Sequence, residues 1–430
     1  MYINEIGMIN IRSIENLYWK IGLEQCAGWH VVIGDNGSGK STLLRAIALA
    51  LFGPTNAIAL RQNWNEWLNK NEDYGDNENP GEIYVHLLYD SRFDKIPGGD
   101  KSIGFHGFPV LIEFIKSKND VKIDDLEVDG YNPRRGLWGK RACWFSAGFG
   151  PFRRFRGGNK DYDELFSSNP KVAAHLSLFG EDVALTECLQ WLQELQFKKL
   201  EGDPEGNLID SVKEFVNQSE FLPHQARLEH VSSKGVEFVD GNGCRLPVEE
   251  LSDGYRSILS LTFELIRQLT RVYGYESIFD SNDKTKIIPP GVVLIDEIDA
   301  HLHPTWQRRV GIWFREHFPN LQFIVTTHSP LICQAATVGT VWRLPKPGSN
   351  ESGGMVTGKD LDRLLYGNVL DAYGTEAFGA DVTRSDESKK RLKRLAELNR
   401  KELREQLSED ERNEQEKLRA MMPTSPHKVC

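Results

Sequence analysis

Cysteine is scarce and unpatterned in this chain of 430 residues: Cys26, Cys143, Cys188, Cys244, Cys333 and Cys430 include no C-x-x-C pair. Neither a zinc site nor a disulfide framework is indicated, and free thiols in a reducing compartment are the simplest account. No apolar run reaches the roughly eighteen residues that a membrane-spanning helix needs. The opening residues, with Glu5 and the strand-like Ile9-Asn10-Ile11-Arg12-Ser13-Ile14, do not read as a leader. A cytoplasmic location with no membrane partner is expected. The formal net charge of -10 excludes a uniformly basic surface. Any grip on nucleic acid must therefore come from a local cluster of cations. Long heptad series are missing too, so no extended coiled coil is encoded.

What is present is four short segments in a telling order. Gly34-Asp35-Asn36-Gly37-Ser38-Gly39-Lys40-Ser41-Thr42 fits G-x-x-x-x-G-K-[ST] in full. It lies between an apolar run, Trp29 to Ile33, and a helix with Leu43, Leu44, Ile47, Leu51 and Phe52 on its apolar positions. Glycines let the loop turn so that consecutive N–H groups face phosphate, and the helix N-terminus adds partial positive charge. Lys40 is expected at the β and γ phosphates of ATP, and the Ser41 hydroxyl on Mg²⁺. Val292 to Ile295 reads as a buried strand that delivers Asp296 and Glu297 at its end. Asp296 suits a water-held Mg²⁺, and Glu297 suits the base for the attacking water. Phe323 to Thr326 reads as a second such strand, which puts His328 at its C-terminal end as a γ-phosphate sensor. His301 and His303, two residues apart, invite a metal reading. Pro304 and the residues after it favour an ordinary helix start instead.

Leu251-Ser252-Asp253-Gly254 precedes a strongly apolar helix, so that Ser252, Asp253 and Gly254 form a second helix N-terminus able to meet an anion. With this segment the chain resembles the ABC ATPases of the SMC, Rad50, RecF and OLD branch, over about residues 1–345. The resemblance implies an α/β fold: a P-loop head with a mostly parallel core sheet, an antiparallel β subdomain, an inserted α-helical lobe and a helical C-terminal tail. It also implies a head-to-tail dimer or higher oligomer, in which each ATP is closed by the partner's Ser252 segment, with Asp299 in the D-loop. The glutamine usual in this branch has no secure counterpart. Trp144 to Arg154 has none, and Gln62 lies too near the first helix. Division of the chain is expected at 1–130 and 251–345 for the two parts of the head, 131–250 for the lobe and 346–430 for the tail.

Between Tyr131 and Lys160 stand Arg134, Arg135, Arg141, Arg153, Arg154 and Arg156, interleaved with aromatics and with no acid among them. They are candidates for nucleic-acid or phosphate contacts. Equally, the aromatics could fill the lobe core while the arginines meet nucleotide or a partner subunit. In the tail, Ser385 to Met422 reads as one charged helix with leucines along one side. It could lie on its own head or a sister subunit, or serve as a docking arm for another protein. The tail is too short for the Toprim nuclease of OLD proteins, and no HNH cluster appears. The Phe149-Gly150-Pro151-Phe152-Arg153-Arg154 segment and the leucine-rich tail resemble the PtuA-like ATPases of Septu and retron anti-phage systems. That resemblance implies an ATPase that regulates a separate HNH-type nuclease. A RecF-like DNA-repair or maintenance ATPase that clamps duplex DNA across the ATP dimer, and a slow nucleotide-locked scaffold, are the competing readings, with DNA or RNA a candidate partner.

Overall fold

The computed structural model describes residues 1–69, 79–96, 107–117, 120–139, 141–155, 169–180, 185–218, 221–349, 352–373, 375, 378 and 385–421. Its centre is a six-stranded sheet in the order β14-β13-β3-β12-β11-β7. The members are β3 (Trp29–Ile33), β7 (Ser146–Phe149), β11 (Gly291–Ile295), β12 (Leu321–Thr327), β13 (Gly339–Arg343) and β14 (Gly354–Met355). All neighbours pair in parallel except β14, which returns antiparallel to β13. The strands are near-continuous runs of Val, Ile and Phe because both faces are buried.

Side chains alternate between two cores. Val32, Val292, Leu294 and Ile324 face helix α1 (Lys40–Phe52) and a five-stranded antiparallel sheet. That sheet has the order β2-β1-β4-β5-β6. Its strands are β1 (Tyr2–Ile11), β2 (Ile14–Lys20), β4 (Gly81–Leu88), β5 (Gly107–Ser117) and β6 (Asp120–Leu126). Val31, Ile33, Val293, Ile295 and Phe323 face the other way. There they meet α2 (Glu187–Glu201), α3 (Leu208–Val216), α4 (Asp253–Tyr273) and α5 (Pro304–His317). Helix α4 carries Leu259, Phe263 and Ile266 fully inside this second core. Truncating any of them to alanine costs about 2–5 kcal/mol. A small antiparallel sheet of β8 (Arg227–Ser232), β9 (Gly235–Val239) and β10 (Arg245–Pro247) leads into α4, as the hairpin-like sequence there predicts.

Three features depart from the expected layout. First, the segment placed with the inserted lobe contains β7, which pairs with β11 inside the core sheet. Phe145, Phe149 and Phe155 are core residues of the head for that reason. Second, the tail begins inside the head: β14 extends the core sheet, and Leu364, on α6 (Gly358–Tyr366), and Ala372 are buried in the main core. Third, the single charged helix is two, α7 (Asp386–Glu402) and α8 (Glu409–Met421), folded against each other around Leu395, Leu398, Leu407 and Leu418.

Candidate nucleotide site

Parallel pairing lines up the C-terminal ends of β7, β11, β12 and β3. Ile295 is level with Phe149 and Val325, and Thr327 with Ile33. The residues that follow each strand therefore converge on one edge, the place where open parallel sheets gather ligands. After β3 comes the glycine loop. Gly37 and Gly39 have φ of +79° and +99°. A side chain at Gly39 would also strike Ser13 and Ile14 of the β1–β2 turn. Lys40 is buried and folds back over the loop, donating to the carbonyls of Gly34 and Asp35 at 2.8 and 3.0 Å. Burial lowers its pKa, against the attraction of Asp296, Glu297, Asp35 and Asp299. The Ser38 hydroxyl is buried with no hydrogen-bond partner, and Ser41 and Thr42 open the helix behind it. Asp35, Asn36 and Gly37 face solvent.

Asp296 is 2 % exposed, and its Oδ1 accepts from the Thr326 hydroxyl at 2.5 Å. The same hydroxyl accepts the backbone N–H of Glu297 at 2.8 Å. Glu297 adopts a left-handed backbone, φ +47°, which is unusual for a residue with a side chain. Asp299 accepts a hydrogen bond from Thr327. His328 follows β12 directly and is exposed. His303 caps α5, taking the Thr305 N–H at 3.4 Å.

Ser252 occupies the N-cap position of α4, is exposed, and makes no side-chain cap bond. Asp253 beside it pairs with Arg256. Gly254 sits so close to the turn after Asp299 that a Cβ would lie 2.9 Å from the His301 carbonyl oxygen. Beside the glycine loop a cleft of about 800 Å³ runs between Ser13–Tyr18 on one side and Leu344–Ser349 with Gly353 on the other.

The arginine segment divides. Arg153 is not a surface cation: it is 5 % exposed and its guanidinium is spent on groups of its own chain. Sequence could not show this, because alternating arginines and aromatics do not say which of them turns inward. Arg134 is exposed but paired to Asp124 and Asp125. Arg154 is half-buried, whereas Arg135 and Arg141 are exposed; Arg156 lies outside the described residues. Trp138 lies across Gly53 and donates to the Ala50 carbonyl at 3.1 Å, closing the end of α1. Sequence reasoning missed Thr326 and Thr327 as the hydroxyls that hold the strand-end acids.

Fold and site together make a P-loop nucleotide-binding head similar to those of the ABC ATPases. Two family models match parts of the chain: an AAA domain over residues 5–131, and an AAA domain, putative AbiEii toxin, Type IV TA system, over residues 157–334. Among named proteins the chain is similar to the Retron Ec83 probable ATPase of Escherichia coli, 26 % identical across 79 % of this chain and 71 % of that one. It is 26 % identical to Septu protein PtuA of Bacillus mycoides over 79 % of this chain but only 40 % of the relative. The Retron Vc95 probable ATPase of Vibrio cholerae matches at 24 % over 71 % of this chain and 67 % of its own length. Among solved structures, an SMC head bound to the C-terminal winged-helix domain of ScpA overlays with a TM-score of 0.46 at 18 % identity, covering 83 % of this chain and 97 % of that one.

Proposed function

We propose that this chain hydrolyses ATP at a site shared between two copies of itself, and that it serves in anti-phage defence as a nucleotide-gated sensor and scaffold for a separate nuclease of HNH type. The observation that carries the shared site is the contrast at one edge of the head. Lys40, Ser41, Asp296, Glu297 and His328 converge there within one chain, while Ser252 opens its helix exposed to solvent and its hydroxyl makes no cap bond. A helix start with a free hydroxyl and free amides suits the phosphates of a nucleotide held by a second copy.

In this reading the loop amides and Lys40 hold the β and γ phosphates, and the buried Ser38 hydroxyl gains the acceptor it lacks. The nucleoside extends along the cleft between Ser13–Tyr18 and the Leu344–Ser349 loop. Ser41 and Asp296 are hard oxygen donors and fit Mg²⁺. When bound, that ion neutralises charge on the phosphate oxygens. Glu297 orients and deprotonates water, with His328 beside the γ phosphate and Asp299 where the two copies meet.

The test is Glu297→Gln. Turnover should fall about 100-fold or more, while an ATP-bound dimer or larger assembly accumulates in sedimentation. Unchanged turnover would remove Glu297 from its role, and a monomer in saturating ATP would remove the pairing. The defence role is supported by the named Septu and retron relatives alone, and the nuclease only by the sequence resemblance to PtuA-like ATPases. Co-expression with the product of the neighbouring gene should yield a stable complex; two proteins that never copurify would end that part of the reading.

A second reading is a clamp on duplex DNA, and the exposed Arg135 and Arg141 are what favour it. It predicts ATP-dependent binding whose salt slope drops by about 1 for each of these arginines changed to alanine. Salt-insensitive binding, or none, removes it.

A further inference from the structure

We infer that Arg153 is a positioning residue that ties the Ser252-bearing helix to Glu297, so that occupation of one composite site sets the geometry of the base in the other. This rests on the shared-site reading above. The guanidinium lies between three elements. Nε donates to the Ser257 hydroxyl on α4 at 2.9 Å. Nη1 donates to the carbonyls of Gly150, just beyond β7, at 2.9 Å and of Asp296 at 2.8 Å. Nη2 donates to the Glu297 carbonyl at 3.0 Å and reaches that of Ile298 at 3.5 Å. A planar five-donor fork can span separate elements in this way, whereas an ammonium cannot.

What the fork holds is strained. Glu297 has its left-handed backbone pinned from both sides, its N–H by the Thr326 hydroxyl and its carbonyl by Arg153. A side-chain-bearing residue there costs about 1–3 kcal/mol unless its surroundings impose the conformation. Where the Glu297 carboxylate points is therefore set by those two anchors. Ser257 lies five residues beyond Ser252 on one rigid helix. That is about 7–8 Å along the axis, so a displacement of α4 when Ser252 meets a neighbour's phosphate is carried to the fork without loss. Ser257 is itself buried, and its carbonyl accepts from Ser260. Burial lowers the Arg153 pKa to about 10, opposed by Asp296, Asp299 and Glu297, so the group remains a cation at neutral pH.

Two variants test the link. Ser257→Ala removes the acceptor on α4 and leaves the four carbonyl bonds intact. Arg153→Lys keeps the charge and loses the fork. Each is measured for ATP affinity with a fluorescent ATP analogue, for kcat and KM, and for the Hill coefficient of turnover against ATP. Both should bind the analogue within about threefold of wild type. Arg153→Lys should lose at least tenfold in kcat, and Ser257→Ala should lose several-fold with its Hill coefficient falling to 1. Wild-type kcat and cooperativity in Ser257→Ala would overturn the inference, whatever Arg153→Lys does. So would a loss of ATP affinity as large as the loss of kcat, because that reports general damage. A wild-type chain with no turnover fells the ATPase reading and the inference together, whereas brisk wild-type turnover matched by both variants fells the inference alone.

Discussion

Thr326 serves both acids at the end of β11, since one hydroxyl donates to Asp296 and accepts from the Glu297 backbone. Valine has the same shape without the hydroxyl, so Thr326→Val leaves a buried carboxylate oxygen and a backbone N–H short of a partner. A loss of about 1–3 kcal/mol of stability is expected, read as a lower Tm, together with a fall in turnover larger than any fall in ATP affinity. Equal loss of both would mean that Thr326 supports the fold and not the placing of the acids. The residues around it were unequally legible. Asp296 and Glu297 follow directly from a strand, and Lys40 and Ser41 close the glycine loop that opens α1, so a local pattern is enough to find them. Thr326 needs the register: Ile295 stands level with Val325, which puts Asp296 opposite Thr326. Two threonines ahead of a histidine on a neighbouring strand were the available signal. Arg153 needs the whole fold, because its partners come from the sequence around 150, 257 and 297.

Elements were legible where their period was clean and misjudged where a boundary hung on a few residues. The core strands stood out as unbroken apolar runs, but β7 is only four residues long and was hidden among arginines and aromatics. The break between α7 and α8 was written in Ser408-Glu409-Asp410-Glu411, a capping box. The Ser408 hydroxyl takes the Glu411 N–H at 3.2 Å, and the Glu411 carboxylate takes the Ser408 N–H at 3.1 Å. Leu403, at 88 % exposure, marks the same break by failing to join the leucine stripe. Because this hairpin closes on its own small core, a chain ending before Asp386 should keep the head's Tm within a few degrees and its ATP affinity intact. A large drop in either would show that the hairpin braces the head. Buried histidines beside the core strands are expected to contribute to the acid limit. His30 on β3 bonds Thr340 and the Cys26 carbonyl, and His175 bonds Ser146 on β7. Burial depresses their pKa values to about 4 and about 3. The unfolded chain therefore binds more protons than the native one below about pH 6.5. Their contribution to stability is complete above that pH and is lost as pH falls towards the folded values, at up to about 1.4 kcal/mol per unit for each histidine. Denaturant midpoints should decline more steeply below about pH 6.5 than above it. The double variant His30→Gln, His175→Gln should flatten that decline, and an unchanged slope would assign the acid limit to carboxylates.

At the scale of the molecule, the proposed function calls for a second copy of the chain. In that proposal the residues at the converging strand ends take the lysine side of a triphosphate, and the helix that would close the other side has an exposed start with no side-chain cap bond. Two copies related head to tail would each lend the missing half, an arrangement that makes the two active sites separable by mutation. Lys40→Ala spoils a site through its own loop, while Ser252→Arg spoils the site on the partner. Each variant alone should be inactive, because every site it forms has one bad half. In a mixed dimer one site collects both faults and the other collects neither. Equimolar mixing should therefore restore turnover from half the dimers, each with one intact site: about a quarter of wild type if the sites act independently, and several-fold less through the Arg153 link, because the intact site's Glu297 belongs to the chain that carries Ser252→Arg. Recovery that grows with the concentration of the mixture would tie it to association. No recovery from a mixture shown to exchange subunits would mean that Ser252 acts within its own chain, and the head would then hydrolyse ATP without a partner's help.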